Sequence, residues 1–226
     1  MRYSTLCWLG CIFIFVSCAA HPPRGESEYK HGLSASKYLI NTYGEYQTPF
    51  AKEYLGYIKE RLVSALPATG SARHQYRFIL LDTNQPMAFS PGGGFIIFSK
   101  GLVKTLANEA EFAFVLCHEL AHQQLGHTQF LLRDDSKGGY LPYQNKLELE
   151  ADRYAIGLMA LAGYDPRVAV FALTRSYRAL DHIPTDNNYP DLETRLSAIN
   201  QSIENSKWLP PGTLDRRAFQ ELRLRL

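Results

Sequence analysis

Cysteine is nearly absent from this chain once its first eighteen residues are set aside. Of four cysteines, Cys7, Cys11 and Cys18 lie in that leader, and only Cys117 remains in the body. A lone body cysteine excludes an intradomain disulfide, so the fold must rest on its core and on any bound metal. A surplus of either charge is missing as well. The 24 Lys and Arg face 22 Asp and Glu, a formal net charge of +2. With no excess of cations to displace counterions from phosphates, no nucleic-acid partner is expected. The 16 Gly and 12 Pro follow no period, which excludes collagen-like or low-complexity material. No internal repeat is present. After residue 18 no apolar run approaches the roughly 20 residues that a membrane-spanning helix needs. What remains is 46% hydrophobic and 20% charged, enough apolar material for a packed core and too much for a disordered chain. The length of 226 residues suits one good-sized domain or two small ones.

The leader has its own pattern. Arg2 precedes an apolar stretch, Leu6 to Val16, that ends in Ser17-Cys18 and runs into the polar Ala19-Ala20-His21-Pro22-Pro23. The stretch is too short to span a bilayer and fits the hydrophobic region of a secretory signal. It resembles a bacterial lipoprotein signal, with Phe15 where a smaller aliphatic residue is usual. That resemblance implies acylation of Cys18 and, with Ala19 rather than Asp after it, anchoring at the outer membrane. The alternatives are an ordinary cleaved signal and an uncleaved anchor.

In the body, residues 19–30 read as a polar tether. Ser34–Ile40 and Pro49–Leu66 read as helices, the second with Pro49 in its first turn. Tyr76–Leu81 and Phe95–Ser99 are apolar, β-branched and aromatic runs, hence strands. Met87–Ser90 is extended and Pro91-Gly92-Gly93-Gly94 turns tightly, the spacing of a hairpin or meander. Asn108 with Glu111 resembles a capping box, and residues 110–125 form a helix that is apolar on nearly every side and therefore buried. Residues 128–145 and 181–190 read as loops. Helices are expected over Leu147–Leu161, from Asp165 to about Leu180, and over Leu192–Ile203, with a final basic helix after Trp208-Leu209-Pro210-Pro211-Gly212. That last helix docks on the domain or lies on a membrane surface, and docking is preferred.

The chemistry centres on His118-Glu119-Leu120-Ala121-His122. Residues four apart share a helix face, so both imidazoles converge on one ion, and this spacing suits Zn²⁺. Glu119 sits at the edge of that face, placed to act as general base on the water that the metal activates. The competing reading is a pair of core histidines beside a surface Glu, which would bury three polar groups to no purpose. A catalytic zinc needs a third protein ligand, and Glu148-Leu149-Glu150-Ala151-Asp152 offers candidates. Glu148 and Asp152 share a face, whereas Glu150 points nearly opposite. Glu148 is therefore expected as ligand and Asp152 as the acceptor that orients a ligand histidine. The alternative is a solvated acidic face paired with Lys146 or Arg153. His127 is read as a cap of the helix end in preference to a group behind the metal ligands.

Three segments together resemble a family of zinc metallopeptidases that includes the HtpX heat-shock protease, the CAAX prenyl protease and the BepA-like proteases. They are Asn84 to Leu102, Glu109 to His127 and Glu148 to Asp152. The resemblance spans roughly residues 45–205. It implies an α+β fold, a mostly helical zincin of the gluzincin type, with a small β-sheet whose edge strand lies over the active-site helix. It also implies Glu148 as the third zinc ligand. The family often carries a His-Pro pair ahead of an Arg; here Tyr189-Pro190 precedes Arg195, and either side chain is a candidate oxyanion donor.

The resulting expectation is a zinc-dependent endopeptidase, one ion per chain, built as a stand-alone peptidase domain. Residues 1–18 form the signal, 19–44 a tether and helix, 45–205 the peptidase domain and 206–226 a docked helix. Unfolded or misassembled envelope polypeptides are the expected substrates of a periplasmic, lipid-anchored monomer. The alternative is a non-proteolytic, chaperone-like lipoprotein with a structural zinc, against which Glu119 stands.

Overall fold

The computed structural model describes residues 24–67, 76–128, 145–179, 190–205 and 212–226. The leader with Cys18, the body of the 129–144 segment and Tyr189 lie outside the described residues. No helix among the described residues is long and apolar enough to cross a membrane.

Helix α1 (Arg24–Tyr43) opens the described chain, and α2 (Pro49–Ser64) follows. The expected tether is thus shorter, and the helix begins ten residues before Ser34. Its polar first half has no apolar run to announce it; packing against the sheet holds it. Gly32 lies so close to the Gly92 carbonyl that a Cβ would come within 2.2 Å of that oxygen. In α2, the Thr48 hydroxyl caps the Ala51 amide and Pro49 occupies the first turn, where its missing N–H is not required. Tyr54, Ile58 and Leu62 are buried as the helical spacing predicts, but Tyr57 faces outward beneath Arg216.

The sheet holds β1 (Arg77–Leu81), β2 (Ala88–Gly92) and β3 (Phe95–Ser99) in the order β1-β3-β2. β2 and β3 form the expected antiparallel hairpin, closed at Gly93-Gly94, both in the left-handed region. The meander is corrected: β1 runs parallel to β3, which lies in the centre. The reason is physical. Every residue of β3 is buried, so it belongs between two partners, whereas Pro91 cannot donate to a ladder and keeps β2 at an edge.

The pleat of β3 divides the core. Phe95 and Ile97 join Ile79 and Leu81 under Leu33, Leu39 and Ile40 of α1. Ile96 and Phe98 face the other layer, led by α4 (Glu109–Gln124), which follows the short α3 (Lys100–Thr105). Asn108 accepts the Glu111 amide at 2.9 Å, and the Glu111 carboxylate returns to the Ala107 amide at 2.8 Å. The reciprocal cap is therefore present, reaching one residue further back than the usual box. α4 is buried from Glu109 to His122.

Helix α5 (Asn145–Leu161) packs on α4 through Ala151 and Ala155, both fully buried, and small residues permit the close approach. A 3₁₀ turn at Pro166–Val168 leads to α6 (Ala169–Ala179), and α7 (Leu192–Asn205) packs on α5 and α6. Helix α8 (Arg217–Arg225) docks on the domain: Phe219 and Leu222 are fully buried, and Phe219 stacks on Phe112.

Candidate metal centre

The centre forms where the last turns of α4 meet the first turns of α5. His118 and His122 lie one helical turn apart, and their Nε2 atoms face each other at 3.0 Å. From α5, Glu148 places Oε2 3.4 Å from His118 Nε2 and Oε1 3.5 Å from His122 Nε2. One ligand atom from each of the three lies within 4.8 Å of the others, and all three residues are buried. Two ring nitrogens and a carboxylate crowded to one buried point can all offer lone pairs to a shared cation. Two nitrogens and one carboxylate oxygen with room for a further ligand are what a catalytic zinc takes, so the donors fit the group.

Behind the ligand atoms a second set of contacts fixes the rings. His118 with its proton on Nδ1 donates to Asp152 Oδ1 at 2.9 Å. Arg195, buried in α7, grips Asp152 with two bonds, Nε to Oδ2 at 2.8 Å and Nη2 to Oδ1 at 2.7 Å. Its Nη1 stands 3.2 Å from Glu148 Oε2. The guanidinium expected as an oxyanion donor is thus committed to the two carboxylates. Tyr189 lies outside the described residues; its neighbour Pro190 accepts the Tyr177 hydroxyl at 2.9 Å.

In the metal-free protein these contacts shape the protonation of each group. Burial disfavours the His118 cation, but hydrogen bonds to Asp152 and Glu148 outweigh it and lift the ring to about 10. Burial, aided by the His118 charge, holds His122 well below the usual imidazole value. Burial would raise Asp152, yet Arg195 and its hydrogen bonds hold that carboxyl down at about 2. Glu119, also buried, is pushed up to about 7, chiefly by loss of solvent.

Gln123 escaped the sequence reading, and His127 takes the role that was not preferred for it. Gln123 joins α4 to the hairpin: its Nε2 donates to Ser90 Oγ at 2.8 Å and to the Phe95 carbonyl at 2.9 Å, and its Oε1 accepts the Gly94 amide at 2.8 Å. The edge strand β2 is thereby clamped beside the centre. His127, expected as a cap, is buried with Nδ1 3.0 Å from His122 Nδ1. The available signal was Gly126: a left-handed residue there turns the chain back so that the His127 amide reaches the His122 carbonyl at 2.8 Å. A separate groove of about 380 Å³ between α2 and β1, lined by Lys52, Lys59, Arg77 and Phe78 among others, supplies no residue to the centre.

Residues 52–136, which include the two histidines and Glu119, match the family described as Peptidase family M48. That match covers less than half of the chain, and over it the sequence is similar to that family. Residues 102–207 also match the family described as Peptidase U49, and that span adds the acidic segment of α5 and Arg195. Among curated relatives, the mitochondrial metalloendopeptidase OMA1 of Schizosaccharomyces pombe is 23% identical over 84% of this chain and 64% of its own length. The protein of the same name from Arabidopsis thaliana is 32% identical over 40% of this chain and 24% of its own length. The beta-barrel assembly-enhancing protease of Escherichia coli K12 is 26% identical over 65% of this chain and 26% of its own length. The chain thus spans less than two thirds of each of these relatives.

Proposed function

We propose that this chain is a zinc-dependent endopeptidase of the bacterial envelope that hydrolyses unfolded or misassembled polypeptides. The observation that carries the reading is the convergence of His118, His122 and Glu148 at one buried point, with Glu119 in the same turn of α4. Those three residues would hold the ion. When bound, zinc supplies Lewis acidity to the scissile carbonyl and to the attacking water. Glu119 accepts the proton of that water on its carboxylate and returns it to the leaving amine, so the peptide C–N bond gives way to an acid and an amine with no net proton uptake at the residue. Burial favours the protonated form of that carboxylate, which suits a group that must take up a proton. Asp152 keeps the His118 proton on Nδ1, and Arg195 holds Asp152 and Glu148 in place. An extended substrate would add to the edge of β2, which Gln123 keeps beside the centre.

The envelope location rests on the Ser17-Cys18 leader, with acylation at Cys18 anchoring a monomer to the outer membrane, and is supported by the likeness to a protease named for beta-barrel assembly. A structural zinc in a chaperone-like protein has no use for a buried general base, so that reading is set aside.

The test loads the purified chain with Zn²⁺, Co²⁺ or Mn²⁺, measures metal content, and follows cleavage of an unfolded polypeptide. About one zinc per chain is expected, lost in His122→Ala and weakened in Glu148→Gln. Glu119→Gln keeps the metal and loses about a hundredfold to ten-thousandfold in rate. Equal turnover by parent and Glu119→Gln rejects the peptidase; a parent that takes up no metal rejects the centre.

A further inference from the structure

Resting on the metal-centre reading above, we infer that His127 and Glu150 form a relay that positions His122, setting its tautomer so that the Nε2 lone pair faces the metal. The contact between His122 Nδ1 and His127 Nδ1, 3.0 Å long, holds a single proton between two nitrogens. Two arrangements satisfy it. In one, His122 carries the proton on Nδ1 and His127 accepts. His122 Nε2 is then bare and aimed at His118 Nε2 and Glu148. In the other, His127 donates and the His122 proton moves to Nε2, where it blocks the ligand position.

The second nitrogen of His127 decides between them. Its Nε2 lies 3.4 Å from Glu150 Oε2, and an ionised carboxylate only accepts. A bare Nε2 lone pair opposite that oxygen is repelled, so the proton of neutral His127 goes to Nε2. His127 Nδ1 is then the acceptor, and His122 must donate from Nδ1. The Glu150 charge therefore reaches the metal ligand through one intervening imidazole, much as Asp152 reaches His118 directly.

Local geometry builds the relay. Gly126 at φ 73° ends α4 and the His127 amide returns to the His122 carbonyl, which lays one ring against the other. Thr128, buried beside it, donates to Glu28 of α1 and fastens the turn. Glu150 is half-buried at the rim, with its other oxygen 3.7 Å from Lys146. The three acids of the Glu148–Asp152 segment thus have three tasks: Glu148 meets the metal position, Glu150 serves His122 through His127, and Asp152 serves His118.

The experiment measures zinc affinity of the full chain by competition with a chromophoric chelator, together with the visible absorption of the Co²⁺ form and the urea midpoint of the metal-free form. His127→Leu should weaken zinc by about tenfold to a hundredfold, as loss of a group behind a ligand histidine does, and should alter the Co²⁺ band. His127→Asn places an oxygen near the Nδ1 position, an acceptor that needs no Glu150, and should recover affinity to within about threefold of the parent. Glu150→Ala, which leaves no acceptor at that place, should weaken binding in the parent and have no effect in the His127→Asn background. Equal affinity in parent and His127→Leu overturns the relay, and so does failure of the asparagine to recover binding in a folded protein. Should the leucine variant not fold, Glu150→Ala decides, because unchanged affinity there overturns the relay as well. A parent without zinc affinity sinks the underlying metal centre instead, a distinct result.

Discussion

Replacing Arg195 by methionine separates a positioning role from a catalytic one. The guanidinium is 4% exposed and makes two short bonds to Asp152, itself fully buried, with Glu148 at 3.2 Å. Methionine fills much of the space and removes the charge, leaving two buried carboxylates that share His118 alone. Breaking a buried ion pair from one side costs about 3–5 kcal/mol, a large part of the roughly 5–15 kcal/mol that holds a domain folded. At a urea dependence of about 2–3 kcal/mol per molar, the metal-free midpoint falls by roughly 1–2.5 M. Zinc should return part of the loss by compensating Glu148. Adding Asp152→Asn should return another part, since removing both partners of a buried pair is far milder than removing one. Urea titrations of the parent, Arg195→Met and the double variant, with and without zinc, give the comparison. If Arg195→Met unfolds at the parent's midpoint and loses only turnover, the guanidinium is an oxyanion donor after all and the packing argument fails.

Three further outcomes follow from particular contacts. Gly32→Ala should destabilise, because its Cβ would meet the Gly92 carbonyl at 2.2 Å, while Gly56→Ala in α2, with nothing within 4 Å, should stabilise by about 0.5–1 kcal/mol; thermal midpoints moving in the same direction would refute this. Tyr54 and Tyr164 donate to the buried Glu109 carboxylate, and burial with that charge holds both phenols protonated far above their ordinary value. Their contribution is complete below pH about 10 and is lost above it at about 1.4 kcal/mol per pH unit for each phenol, so Tyr164→Phe should reduce the alkaline slope of stability by one proton; an unchanged slope would count against the shift. Gln123→Leu removes three bonds between α4 and the hairpin, each worth about 0.5–1.5 kcal/mol, and should raise KM for an unfolded substrate at constant zinc content. A loss of zinc with KM unchanged would place the fault at the histidines instead.

Much of this was legible in sequence wherever the cause is local. A spacing of four residues puts His118 and His122 on one face of any helix, and Asn108, Thr48 and Pro49 mark helix starts by their own hydrogen bonding. The Gly93-Gly94 turn follows from backbone freedom that other residues lack. Glu148 and Asp152 share a face for the same periodic reason, and the structure brings both to the histidines. Glu150 shows the limit of such reasoning: it does point away from the metal position, yet it lands on His127.

What only the tertiary structure decided are the matters that depend on which elements become neighbours. The parallel placement of β1 against β3, the extension of α1 back to Arg24 and the docking of α8 through Phe219 each arise from contacts between residues far apart in the chain. Arg195 illustrates the same point at the site. Its charge and its spacing from Pro190 were visible, but it stands 43 residues from Asp152, and only the packing of α7 on α5 turns that cation towards the carboxylates rather than towards a substrate. Periodicity determines the face on which a side chain sits; the partner it meets there is chosen by how the faces pack, because burial and paired charge are properties of the assembled core.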